Sequence, residues 1–142
     1  IVEAKFLDLL RELRQEFGLT ILIITHNIGV VAEVADRVAV MYAARLVELG
    51  GVKEIFANPK HPYTQGLLHS VPNIKLDGAE LYKMEGTPPN LLHPPKGCRF
   101  HPRCPQAMEI CGVEAPAFEA VDGDHFAECW LYHKVESKVE GK

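Results

Sequence analysis

The chain has 142 residues, 47% of them apolar, with 19 acidic against 15 basic side chains and a formal net charge of −4, the size and balance of one soluble globular domain or two small ones. No apolar run approaches the roughly 20 residues a membrane-spanning helix needs, and no basic patch interleaved with aromatics marks a nucleic-acid partner. Ile1 is followed by neither a basic segment nor a leader-like stretch, so the chain is expected to be soluble and to begin within a longer protein.

Phe6, Leu9, Leu10, Leu13 and Phe17 recur at helical offsets and place an apolar stripe on one face of a helix, which Gly18 is positioned to stop. Residues 20–25, Thr-Ile-Leu-Ile-Ile-Thr, predict a strand buried on both faces, as in a parallel sheet. Such sheets place their chemistry at the strands' carboxyl ends, which is where His26 falls. From the residues alone, a histidine closing a buried strand with its ring bonded to backbone is the commoner explanation. A second helix is predicted over residues 28–35, with Val31, Val34 and Ala35 at helical spacing. Two β-rich runs, residues 37–42 and 45–49, then read as a hairpin. This order is the grammar of one flank of an α/β domain, although a single parallel strand cannot form the sheet that would cover its two faces.

The character changes near residue 57, because all ten prolines lie between Pro59 and Pro116 and forbid long regular elements. One short helix is predicted over residues 63–70, with Pro62 in its first turn, followed by loop-rich chain to residue 130. The division expected is residues 1–56, residues 57–134, and a charged tail over 135–142.

Cys98, Cys104, Cys111 and Cys129 are separated by five, six and seventeen residues, all in the proline-rich part. A segment this poor in core residues needs a staple. Four thiolates can hold an iron–sulfur cluster or a structural zinc. Disulfides and plain buried thiols are the other readings, and the absence of a Cys-x-x-Cys pair weighs against a zinc ribbon. His101, His125 and His133 lie near enough in sequence to complete a metal site, but a surface or hydrogen-bonded histidine is the commoner explanation for each.

The run from Thr25-His26-Asn27-Ile28-Gly29 through Arg37-Val38-Ala39-Val40-Met41-Tyr42, continued by Ala43-Ala44-Arg45-Leu46-Val47-Glu48-Leu49-Gly50, strongly resembles the switch-histidine region of ATP-binding-cassette ATPases. The resemblance implies that His26 is catalytic, contacting the γ-phosphate of ATP and helping to orient the attacking water. An imidazole placed there can stabilise charge developing in phosphoryl transfer. Asn27 stands where that family most often has Asp and keeps a capping side chain. Ala44 stands where Gly is commonest, and Ala resists positive φ.

Further on, Glu54-Ile55-Phe56-Ala57-Asn58-Pro59-Lys60-His61-Pro62-Tyr63, then Gly86-Thr87-Pro88-Pro89 and Gly97-Cys98-Arg99-Phe100-His101-Pro102-Arg103-Cys104-Pro105, are similar to the C-terminal extension of the oligopeptide and dipeptide importer ATPases. That similarity implies an α/β fold, the C-terminal edge of a P-loop ABC ATPase domain carrying a small loop-rich extension. It also implies a [4Fe–4S] cluster on Cys98, Cys104, Cys111 and Cys129, with zinc or free thiols as alternatives.

No Gly-x-x-x-x-Gly-Lys-Ser/Thr phosphate loop and no Leu-Ser-Gly-Gly-Gln-like signature occurs in these residues. The expectation is therefore a C-terminal part of an importer ATPase that does not hydrolyse ATP by itself. In the intact subunit, at the cytoplasmic face of the membrane, it would work with ATP and Mg²⁺, a second ATPase subunit and membrane permease subunits to import peptides. The apolar run Ile21, Ile23, Ile24 is expected to drive self-association of the piece. The competing reading is an independent cysteine-held protein-binding module in which His26 is merely structural.

Overall fold

The structure is a computed structural model that describes residues 2–70 and 84–133; the charged tail expected over 135–142 lies outside them. The chain divides into two compact units, residues 1–36 and residues 37–142. Within the second unit, strands before and after residue 57 share one sheet.

In the first unit, helix α1 (Val2–Phe17) ends as expected. Gly18 takes φ +64° and its N–H returns to the Arg14 carbonyl at 3.0 Å, a left-handed stop that costs glycine nothing. The predicted apolar face is only partly used. Leu7 is the buried residue, while Phe6, Leu9 and Phe17 are half or more exposed. Helix α2 (Ile28–Val34) follows, and Arg11 binds Asp8 at 2.9 Å and Glu33 at 2.8 Å, exposed pairs that contribute little each.

The strand expected over residues 20–25 does not form. Leu22 and Ile24 are 88% and 94% exposed. A β-rich run becomes a strand only where a neighbouring strand accepts its backbone hydrogen bonds, and no strand of the described residues pairs with it.

The second unit is α/β, built on a four-stranded antiparallel sheet in the order β1-β2-β4-β3. Strands β1 (Arg37–Tyr42) and β2 (Arg45–Gly51) form the expected hairpin with a bulge at Val40/Met41. Its two-residue turn puts Ala43 at φ +47° and Ala44 at φ +60°, as a primed hairpin turn requires. Each such L-residue costs about 1–2 kcal/mol. The Arg99 guanidinium donates to the Ala43 carbonyl and helps to hold the turn.

Helix α3 (Val52–Ala57) follows without a break, its start secured by the Glu54 carboxylate accepting from the Gly51 N–H at 3.0 Å. Helix α4 (Pro62–His69) begins on Pro62 as predicted. Strands β3 (Phe118–Asp122) and β4 (His125–Glu128) lie in the part expected to be loop; Gly123, at φ +53°, makes the tight turn between them. The core is Val40, Tyr42, Val47, Ile55 and Phe100, with Cys98 and Cys104 packed against it. Among the described residues no helix is long and apolar enough to cross a membrane.

Candidate functional site

His26 is exposed on a bend entering α2, not at a strand's end. Two local bonds shape that bend. Thr25 Oγ1 accepts from the Asn27 N–H at 3.0 Å, and Asn27 Oδ1 accepts from Gly29 N at 3.0 Å and Val30 N at 3.4 Å. Asn27 is therefore the helix cap its side chain predicts. The loop backbone is fixed on both sides of His26 while the ring faces solvent.

The second unit is organised around a carboxylate the sequence reading did not single out. Glu48, fully buried in β2, accepts from the backbone N–H of Lys60 at 2.6 Å and of His61 at 2.9 Å. Its Oε1 also lies 2.7 Å from His125 Nε2. One side chain thus joins β2, the entry to α4 and β4. Gly50 makes room for the imidazole, since a Cβ there would stand 3.2 Å from His125 Cδ2. Alongside, Arg45 Nε donates to Glu128 Oε1 at 3.0 Å.

The His-Pro-Tyr segment has a physical account. His61 Nδ1 accepts from the Tyr63 N–H at 3.1 Å and caps α4, Pro62 supplies the preset first turn, and Tyr63 joins Tyr42 and Phe100 in an aromatic cluster with centroids 4.6 to 5.6 Å apart. Burial pushes His61 down to about 4 from 6.5. The folded state therefore holds it neutral, and its contribution is fully present above pH 6.5. It is lost as pH falls toward 4, by about 3 kcal/mol in total. Denaturation midpoints measured between these limits should fall with acidification, and His61→Asn, which keeps a capping oxygen, should flatten that fall.

The four cysteines converge. All four are free thiols, and each lies in or beside a short turn. Cys98 and Cys104 flank the 3₁₀ turn His101–Arg103, Cys111 lies in the turn Glu109–Gly112, and Cys129 precedes Trp130–Tyr132. The Cys98 N–H donates to the Cys111 carbonyl at 2.8 Å. Gly97 permits this approach: at φ +68°, a Cβ would come within 2.3 Å of the Cys111 carbonyl oxygen, so no side chain fits there. Cys129 is positioned by its neighbours, with Trp130 Nε1 donating to the Glu114 carbonyl at 2.9 Å and the Tyr132 hydroxyl to the Lys60 carbonyl at 3.0 Å.

Burial raises the Cys98, Cys104 and Cys129 thiols, Cys129 to about 12, and the negative charge of neighbouring cysteines adds to the rise. Cys129 feels the other three. Opposing this, backbone N–H groups point at the sulfurs, from Phe100 and His101 at Cys98, Gln106 at Cys104 and Leu131 at Cys129. The Met108 N–H reaches Cys111 Sγ at 3.5 Å.

Among the described residues no three His, Cys, Asp or Glu side chains are arranged to hold a metal ion, whereas tetrahedral zinc would draw its sulfurs to about 3.8 Å of one another. The three nearby histidines are engaged elsewhere, His101 with the Cys98 carbonyl at 2.8 Å, His125 with Glu48, and His133 with the Ala117 carbonyl at 3.1 Å.

The role of Glu48, as the partner of a hydrogen-bonded His125, was missed, as were β3 and β4. Each left a trace. Glu48 is the one charge inside the apolar run Leu46-Val47-Glu48-Leu49, and Asp122-Gly123 between alternating residues is a hairpin signal.

Residues 47–111 match the family described as "Oligopeptide/dipeptide transporter, C-terminal region". The chain is 48% identical over 130 residues to the dipeptide transport ATP-binding protein DppD of Bacillus subtilis, covering 92% of this chain and 39% of the relative. It is 49% identical over 129 residues to the oligopeptide transport ATP-binding protein OppD of Salmonella typhimurium, covering 91% and 38%. It is 45% identical over 134 residues to the DppD of Caldanaerobacter subterraneus, covering 94% and 41%. The chain thus spans about two fifths of the length of the curated relatives it matches, and nothing in these matches supports the independent-module reading.

Proposed function

We propose that the chain is the C-terminal part of an ATPase subunit of the oligopeptide/dipeptide transporter kind, one that powers peptide import, as its match to that C-terminal region and to the transport ATP-binding proteins supports. The observation that carries the reading is the near-half identity over more than nine tenths of the chain, a match that runs through both the His26 loop and the cysteine segment. The intact subunit would act at the cytoplasmic face of the membrane beside permease subunits and a second ATPase. His26 would donate a hydrogen bond to the γ-phosphate and help to orient the attacking water, stabilising the charge that develops on the transferred group. Vesicles carrying the complete transporter should accumulate a labelled oligopeptide or dipeptide only when ATP is supplied; uptake indifferent to ATP overturns the proposal.

Cys98, Cys104, Cys111 and Cys129 are the proposed ligands of a [4Fe–4S] cluster. Four free, converging sulfurs with backbone N–H groups aimed at them are a donor set suited to thiolates that share charge with iron. Its chemistry here would be that of a staple, formed as the thiols give up their protons to the metal. Anaerobically prepared protein should contain iron and sulfide and show the visible charge-transfer band of a cluster. Protein without iron refutes the proposal, and a Cys104→Ser variant retaining full absorbance removes that residue from the ligand set.

A further inference from the structure

A second polar site lies away from both the His26 loop and the cysteine sulfurs. Below the β1–β2 turn, an open cleft of about 270 Å³ is lined by Arg99, Arg103, Tyr42, Thr87, Asn90 and His93, with four prolines completing its walls. No carboxylate lines it, and among the described residues neither arginine has an acidic partner within ion-pair distance. In a chain of net charge −4, two half-buried guanidiniums are left with uncompensated charge, which arginine cannot relieve by deprotonating.

Neutral oxygens hold the guanidiniums in place. Arg99 donates to the Ala43 carbonyl. Arg103 donates from Nε to the Glu85 carbonyl at 2.9 Å and from its two terminal nitrogens to the Tyr42 hydroxyl at 3.3 Å and the Met84 carbonyl at 3.4 Å. Gly86, at φ +81°, lets the Arg103 stem lie close, since a Cβ there would stand 3.2 Å from Arg103 Cγ. Each fork has five N–H donors, so Arg99 keeps four unused and Arg103 two. The Tyr42 hydroxyl, accepting from Arg103, retains its own proton to donate. Asn90 Oδ1 is occupied by the Leu92 N–H at 2.9 Å, which leaves its amide N–H groups available. Arg99, Arg103, Tyr42 and Asn90 thus each offer a donor, and proline walls hold the arrangement without a bound partner, reducing the entropy lost on binding.

We propose that this cleft is a binding site for a phosphate group, held by Arg99 and Arg103 with Tyr42 and Asn90 as supporting donors. Arginine forks bind phosphate oxygens in pairs, and the volume suits a small oxyanion or the terminal phosphate of a larger ligand. The two sources are separable. The full chain, in chloride buffer, is titrated with inorganic phosphate and separately with ADP, and binding is followed by calorimetry and ³¹P NMR. Saturable binding of one phosphate per chain is expected, and whichever probe displaces the other at lower concentration identifies the source. Arg99→Gln, which removes one bond to Ala43 and no core contact, should weaken binding at least roughly tenfold, the worth of one charge-assisted hydrogen bond. Arg99→Lys, keeping the charge and losing the fork, should fall between, and Arg14→Gln in the first unit should change nothing. The unfolding midpoint of each variant confirms that it is folded. No saturable binding of either probe, or equal affinity in wild type and Arg99→Gln, overturns the proposal.

Discussion

Replacing Glu48 by alanine is expected to destabilise the second unit by about 3–5 kcal/mol, the cost of removing one partner from a buried charged network. The carboxylate is fully buried and serves three donors on three separate segments, the Lys60 and His61 N–H groups and the His125 ring. Truncation leaves all three facing a cavity, and each unsatisfied donor costs about 1–3 kcal/mol. The damage should extend beyond stability, because Glu48 pairs across the sheet with Ala127, two residues before Cys129. Glu48→Gln keeps one oxygen for the backbone donors and should lose less. Urea unfolding of the two variants checks the order. A loss under about 1 kcal/mol for Glu48→Ala would mean that the network is not what joins β2, α4 and β4.

What the sequence made legible was local. Gly18, Asn27 and Pro62 each act within a turn of chain, and each does what its side chain predicts. The β1–β2 hairpin was legible for the same reason, although Ala43 and Ala44 adopt positive φ where glycine would be easier. Residues 20–25 show the limit of that reasoning: their β propensity is real, but a strand is a property of pairs, and the described residues supply no partner. Glu48 and His125 lie 77 positions apart, so no window along the sequence contains both. The cysteines were legible as a set by type and crowding. The N–H groups aimed at their sulfurs, and the Gly97 approach to Cys111, are tertiary facts.

His26 was found by its position after an apolar run and by resemblance, and its catalytic role is proposed on those grounds. The structure holds it on a bend fixed by Thr25 and Asn27, exposed and without a burial that would explain it as core.

The central claim is that this exposed imidazole serves ATP hydrolysis in the intact subunit, and it meets its most direct test in one measurement. The intact ATPase subunit, wild type and His26→Ala, is assembled with its permease partners, and ATP hydrolysis is followed in a single turnover with nucleotide affinity measured alongside. The account predicts hydrolysis slowed by roughly 10²–10³, the worth of one donor lost from a developing charge, with ATP still bound. Hydrolysis at the unaltered rate in a folded His26→Ala transporter would contradict it.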